Sequence, residues 1–384
     1  MSHGVPESRN ARQVTRLRNS CTPFQLDAST MTPLTSTTLR IQDAGSVSET
    51  AERMRARLAG IVPDVEIALK AELAYEVNRL KRERDAVILG HNYMEPALYH
   101  SVPDYTGDSL ELSRISAQTD ARIIVFCGVQ FMAETAKVLN PEKTVLIPAE
   151  KAGCSLAEGI TVEDVRRLRE RFPGAPVVSY VNTYADVKAE SDYCCTSGNA
   201  EAVVRHLFDT GHPIVIFVPD EYLAWNTANE LGARFVRGWE PDAERVLSTG
   251  GPAVIGWRAR CEVHELFTAE DVLSVRRQFP EAVLLAHPEC SPEVIGLVDV
   301  SGSTKKMVDY VRHSPAKRFM LFTECSMGDN IAAENRDKEM IRLCSHTCPY
   351  MKMITLHDTL EALRHIQYRI ELPAEIIRRA RVPI

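Results

Sequence analysis

The sequence predicts an α/β protein: three pseudo-threefold-related domains, each a small parallel sheet with flanking helices in three αβα layers, around one central site. Three observations predict it. Short continuous apolar runs alternate with amphipathic helical segments, the pattern of parallel strands covered on both faces. These runs come in the same ordered set three times. Each set closes on a lone cysteine, Cys154, Cys261 or Cys348.

The 384 residues are 45% hydrophobic and 25% charged, ordinary for a globular chain. A net charge of −7 gives no basic footprint for nucleic acid. No apolar stretch is long enough to span a bilayer, and no charged-then-apolar signal opens the chain. Ten cysteines without such a signal suggest a reducing, cytoplasmic setting, with metal ligands or buried thiols rather than disulfides. Residues 1–50 are rich in Ser, Thr and Arg without periodicity and read as a disordered extension. Their Arg/Ser-rich character also fits a plastid transit peptide, the alternative location.

Residues 51–161 form the first repeat. Its opening, Glu52 to Asp85, has helical spacing broken near Pro63 and reads as one or two surface helices. Strands follow at Val87–Leu89, Ile123–Phe126 and Val145–Ile147. The second repeat, 162–266, has runs at Val177–Val178, Ile214–Phe217 and Ala253–Ile255, with a surface insertion from Ala233 to Gly251. The third, 267–350, has Val283–Leu285 and Phe319–Phe322. Residues 351–384 are expected to form C-terminal helices packed on the first repeat.

Within each repeat a strand ends in a polar residue: His91, Asn182 or His287. A hydroxyl-bearing turn then opens a helix at Ser109, Ser197 or Ser303. Ligands of open α/β sheets bind beyond the carboxyl ends of the strands, so three such ends imply a shared cavity. Three cysteines without a fourth equivalent leave an open metal position, the mark of catalysis rather than structure. Zinc is one occupant; three thiolates and no obvious His ligand suit a 4Fe–4S cluster with one open iron better. His346, within C-S-H-T-C-P, reads as a loop residue. Cys127 reads as core, Cys194 and Cys195 as an adjacent pair facing opposite ways, and Cys290 and Cys325 as loop thiols open to reaction. Cys344 is a candidate for redox pairing, and Cys21 lies in the extension.

Ser109, Thr196, Ser197, Ser303 and Thr304 read as helix N-caps whose exposed amides suit a phosphate or dicarboxylate. His91 with Tyr93, and His287 with Glu289, are spaced i, i+2; in extended backbone both members face one side and suit proton transfer. Tyr180 and Asn182 complete the strand-end set, with Asn182 suited to orienting a substrate. No Walker A, G-x-G-x-x-G or radical-type C-x-x-x-C-x-x-C motif is present.

Taken together, G-H-N-Y, G-D-S-L-E-L-S, F-C-G-V-Q-F-M-A-E-T-A-K-V-L-N-P, the Y-V-N-T block, H-P-E-C, G-S-T-K-K-M and C-P-Y-M-K-M resemble the quinolinate synthase A family, in order from Asp85 to Leu356. The resemblance implies a 4Fe–4S cluster on Cys154, Cys261 and Cys348. It implies condensation of iminoaspartate with dihydroxyacetone phosphate to quinolinate, with release of phosphate and water, in NAD biosynthesis. The open iron would act as Lewis acid. Acid/base roles carry over to His91, Tyr93, His287 and Glu289, and substrate contacts to Ser109, Tyr180, Asn182, Ser197, Ser303 and Thr304. Implied partners are an L-aspartate oxidase or dehydrogenase and iron–sulfur assembly machinery. The C-x-x-C-x-x-C of some members is replaced here by C-S-H-T-C, which argues against a redox switch at that point. Other readings are a different 4Fe–4S hydro-lyase and a cluster-bearing sensor.

Overall fold

A computed structural model describes residues 40–342 and 346–384. Three separate parallel sheets account for its strands. The first contains β1 (Ala86–His91), β2 (Tyr105–Gly107), β3 (Ile123–Cys127) and β4 (Thr144–Leu146) in the order β2-β1-β3-β4. The second contains β5 (Val177–Tyr180), β6 (Tyr193–Cys195), β7 (Ile214–Val218), β8 (Arg234–Arg237) and β9 (Ala253–Gly256) in the order β6-β5-β7-β9-β8. The third contains β10 (Val283–Ala286), β11 (Val300–Ser301), β12 (Arg318–Phe322) and β13 (Glu339–Met340), with the order of the first. The α/β class and the triplication stand, and all eight apolar runs lie in or across strands. The runs are apolar because helices cover both faces: Ile88, Leu89, Val215, Phe217, Leu284 and Phe319 have no solvent exposure.

The second sheet differs by β8, which pairs with β9 in parallel from Arg234↔Ala253 to Arg237↔Gly256. The segment expected as a surface insertion therefore adds an edge strand, and it buries Val236 and Ala243. Its strand R-F-V-R is a short edge strand in which Phe235 and Val236 pack on opposite faces between two arginines, so no continuous apolar run marks it.

Of the expected extension, residues 1–39 lie outside the described residues. Residues 40–50 are structured. Ile41–Asp43 form a 3-10 turn, and Ser46 caps a helix over Val47–Leu58 by accepting from the Glu49 N–H. This helix and the next, Asp64–Glu83, break at Pro63 as expected. They are not merely superficial, for Met54, Leu58, Ile67, Ala71 and Val77 are all buried.

The repeats grip one another in a cycle. From helix Cys325–Glu334, Asn330 Nδ2 donates to the carbonyls of Asn92 (3.1 Å) and Met94 (2.9 Å), just past β1. From helix Glu221–Leu231, Asn226 Nδ2 donates to Pro288 and Cys290 (2.9 Å each), just past β10. From helix Gln130–Leu139, Glu134 accepts from the Ala185 N–H (2.7 Å), past β5. Each repeat thus anchors the strand-end loop of another, and these three loops carry the polar pairs.

Helix Leu356–His365 packs on Asp64–Glu83 and β3, within the first repeat. The last helix, Ala374–Ala380, also contacts Ala185–Lys188 in the second. The tail covers two open sheet edges. Ile147 donates to Tyr368 and Ile370 to Val145 beside β4, and Cys194 of β6 donates to Pro383.

Candidate active site

The carboxyl ends of the three sheets open on one cavity. It is lined by His91, Tyr93, Ser109, Tyr180, Asn182, Ser197, His287, Glu289, Thr304 and all three cysteines, Cys154, Cys261 and Cys348. Ser303 is the exception among the expected residues. It lines an adjoining cavity, shared with Ser197, Asn226, Glu230 and Lys306, because its hydroxyl turns back to cap its own helix at the Lys306 N–H (3.3 Å).

The caps differ from expectation by a residue or more. Asp108, not Ser109, caps helix Ser109–Gln118 by accepting from Glu111 N–H (2.9 Å). Asn199 precedes helix Ala200–Asp209, and Thr196 Oγ1 accepts from Gly198 N–H inside the turn. Ser303 is a true cap and Thr304 the first helical residue. The hydroxyls of Ser109, Ser197 and Thr304 are thereby not committed to capping their own helices. Thr304 Oγ1 accepts from Asn92 Nδ2 (2.9 Å), so the first repeat orients it.

The cysteines share one local structure. Each is followed seven positions later by a threonine that forms a reciprocal capping box with an aspartate: Thr161 with Asp164, Thr268 with Asp271, and Thr355 with Asp358. Each sulfur also receives backbone N–H groups from the residues two and three positions on. These are Leu156 and Ala157 at Cys154, Val263 and His264 at Cys261, and Tyr350 and Met351 at Cys348. Burial pushes all three thiols up, Cys348 to about 11, and among the described residues no Lys or Arg lines the cavity to offset it. Charge on Cys348 further raises Cys154, and charge on Cys154 further raises Cys261. Three partly buried cysteines, each with N–H donors and no fixed cation, match the donor set of a 4Fe–4S cluster, whose iron would supply the missing positive charge.

Within 4.8 Å of the Cys261 sulfur stands a hydrogen-bonded carboxylate. Glu289 Oε1 accepts from Tyr180 OH (2.7 Å) and lies 3.4 Å from Asn182 Nδ2. Glu289 Oε2 is 2.6 Å from His264 Nδ1 and 3.6 Å from His287 Nδ1. Burial alone would raise this carboxyl; His287, His264 and Tyr180 outweigh it and hold Glu289 below the usual range. Burial lowers His91 to about 4 and His287 to about 3, so both rings are neutral at pH 7. Burial, then the Glu289 charge, raises Tyr93 and Tyr180 well above a free phenol.

The i, i+2 pairs meet, but not through extended backbone. β1 ends at His91 and β10 at Ala286, and in the turns that follow the ring Nδ1 accepts the N–H two residues on. These bonds are Tyr93 N to His91 (3.2 Å) and Glu289 N to His287 (3.3 Å). With Nδ1 accepting, Nε2 carries the proton; that of His287 faces Ser197 Oγ at 3.2 Å. The His91 and Tyr93 rings meet edge to face, 4.8 Å apart.

Sequence reading missed His264. Its ring stacks on His287 at 4.7 Å and its Nδ1 lies 3.2 Å from Cys261 Sγ. The signal was its place three positions after Cys261, where the other repeats carry Ala157 and Met351. Cys261, His264 and Glu289 could be taken for a single-ion site. Two ligands about 2.1 Å from one tetrahedral ion lie roughly 3.4 Å apart. The 2.6 Å between His264 and Glu289 is a hydrogen bond instead.

Of the other cysteines, Cys127 is core, beside Thr359. Cys195 is buried and Cys194 partly so. Cys290 is fully buried with its thiol pushed up by burial, so it is not the reactive loop thiol expected. Cys325 begins a helix and is disulfide-bonded, against the expectation of thiols only. The Cys344 and Cys21 readings lie outside the described residues. His346 packs edge-on against Phe267 and does not line the cavity.

Comparison with known proteins places the chain in a family. Residues 75–384 match the family described as Quinolinate synthetase A protein. The chain is 49% identical over 326 residues to Quinolinate synthase 1 of Mesorhizobium japonicum, covering 85% of this chain and 93% of that one. It is 47% identical to Quinolinate synthase of Caulobacter vibrioides over 84% of this chain and 83% of the relative. With Quinolinate synthase of Xylella fastidiosa it shares 51% identity, over 79% and 82%. The chain belongs to the quinolinate synthase A family.

Proposed function

We propose that this protein condenses iminoaspartate with dihydroxyacetone phosphate to quinolinate, releasing phosphate and water, for NAD biosynthesis in the cytoplasm. The observation that carries the proposal is the pairing of three N–H-cradled sulfurs with the Glu289 network in one cavity. Cys154, Cys261 and Cys348 would hold a 4Fe–4S cluster. When bound, the cluster supplies an open, Lewis-acidic iron.

The chain's own groups supply binding and proton transfer. Ser109, Ser197 and Thr304 offer hydroxyls to phosphate and carboxylate oxygens, close to the first turns of their helices. Ser303 acts from the adjoining cavity by holding that turn. Glu289, ionised, takes a proton from a substrate carbon or nitrogen, and His264 and Tyr180 orient its two oxygens. Tyr93, kept protonated, gives a proton to a leaving oxygen; His91 and His287 donate Nε2–H groups that polarise substrate oxygens. Asn182 orients the substrate beside Glu289. Iminoaspartate hydrolyses readily, so an L-aspartate oxidase or dehydrogenase must supply it nearby, and the cluster requires iron–sulfur assembly machinery.

The test is anaerobic turnover. Cluster-loaded protein with both substrates should yield quinolinate, detected chromatographically, with one phosphate per product. A fully loaded protein that releases none would refute the proposal.

A further inference from the structure

The turns past β1 and β10 are each pinned by one asparagine. Asn330 Nδ2 bridges the carbonyls of Asn92 and Met94, and Asn226 Nδ2 those of Pro288 and Cys290. In both turns the bridged carbonyls lie one and three residues past a histidine, His91 or His287. The matching turn past β5 follows Tyr180, because Tyr180 pairs with Cys195 at the end of β6 as His91 pairs with Gly107 at the end of β2. Its carbonyls one and three residues on belong to Val181 and Thr183. One group bridges these as well: Lys188 Nζ donates to Val181 O (2.8 Å) and to Thr183 O. Asparagine is absent at the corresponding place. Asn226 and Asn330 stand eight residues past the ends of β7 and β12, and eight past the end of β3 stands Thr135. Its short hydroxyl donates to Phe131 O (2.7 Å) in its own helix. Lys188 instead reaches back from the end of helix Ala185–Lys188, whose first N–H Glu134 holds.

We propose that Lys188 is a positioning residue for substrate binding: its Nζ fixes the turn that aims Asn182 into the cavity. This rests on the substrate-orienting role given above to Asn182. The two bridged carbonyls flank Asn182. Tyr180 is still held by β5, and the Val181 N–H donates to Cys195 O (2.8 Å), so Asn182 is the first side chain whose direction the turn decides. That direction matters: Asn182 lines the cavity, and among the described residues nothing donates to its buried Oδ1. A substrate N–H or O–H can satisfy it only if the side chain is correctly aimed. Lys188 has no solvent exposure, and its Nζ lies 5.7 Å from the centre of the Phe131 ring, another wall of the cavity. An amine stripped of water keeps its place through its hydrogen bonds, so the clamp and the turn hold each other.

The test sets Lys188→Met, which keeps an unbranched stem and removes the donor, beside Lys188→Gln, which keeps donors on a shorter stem. In cluster-loaded protein, Lys188→Met should raise KM by about fivefold to tenfold for the same substrate as Asn182→Ala, the size of one misdirected hydrogen bond. kcat should stay within about twofold, with iron content unchanged. Lys188→Gln should lie between Lys188→Met and wild type. Adding Asn182→Ala to Lys188→Met should raise KM no further than Asn182→Ala alone, because one residue acts through the other. A crystal structure of Lys188→Met should show the Asn182 amide turned away. Wild-type KM in Lys188→Met, a Lys188→Gln no better than Lys188→Met, additive losses in the double variant, or an unmoved Asn182 amide would each overturn the proposal. Where Lys188→Met does not fold, the same double variant and crystal structure made with Lys188→Gln decide between these outcomes. A wild type that makes no quinolinate would refute the proposed reaction instead, and the crystal structure would still decide the role of Lys188.

Discussion

The cysteine loops of the cavity and the Glu289 network beside them are built on opposite plans. Around Cys154, Cys261 and Cys348 the same local structure occurs three times, down to the capping box seven residues on and the N–H groups on each sulfur. Around Glu289 the hydrogen-bonding side chains differ from one repeat to the next. Tyr180 comes from the second repeat's first strand, and His264 from a turn that has Ala157 and Met351 as its counterparts. A cluster is a near-symmetric guest, and equivalent loops can hold it. Joining two different substrates requires neighbouring groups with different proton affinities, so the copies must diverge where they meet the reacting atoms.

The largest effects should test the symmetric side. Cys154→Ala, Cys261→Ala and Cys348→Ala should each abolish quinolinate formation and lower iron and sulfide per chain, to similar extents. A variant that keeps both cluster and turnover would break the equivalence. The asymmetric side should respond unequally. Glu289→Gln should lower kcat by about a hundredfold to ten-thousandfold, the scale of general acid–base catalysis. Asn182→Ala, at the second repeat's strand end, should chiefly raise KM. Equal kinetic profiles for the two would remove the special place given to Glu289.

Stability measurements extend the comparison. Asn226→Ala leaves two buried carbonyls without their donor and should cost about 2 kcal/mol, read from denaturant midpoints. His91 titrates at about 4 in the fold and about 6.5 unfolded. The unfolded chain therefore binds more protons between these values, and stability falls as pH drops from about 6.5 to 4. The shift corresponds to a loss on the order of 3 kcal/mol, which His91→Asn should remove from the pH profile. The smallest effect should come from the capping boxes. Thr268→Ala should lower stability by about 1 kcal/mol and leave iron content unchanged.

Particular residues show how far the sequence was legible. Apolar runs such as Ile123–Phe126 and Ile214–Phe217 announced their strands because burial on both faces demands unbroken apolar side chains. β2, β6 and β11 went unseen: two or three residues at a sheet edge carry no periodicity. Serine's capping propensity points to Ser109, but Asp108 beside it has the stronger acceptor. His264 carries no such mark, since a place three positions after a cysteine says nothing of the carboxylate 25 residues further on.

By itself the sequence determined the α/β class, the threefold repetition, the three cysteine ligand candidates and most of the polar strand ends. All of these are local patterns, and a local pattern repeated three times speaks louder than one. Tertiary structure alone decided which hydroxyls face the cavity, that Ser303 does not, and that Tyr180 and His264 join Glu289 in one network. Those partners lie up to 109 residues apart, as Tyr180 and Glu289 do. Contacts at such separations exist only once the three repeats have closed on one another, because no local propensity brings them together.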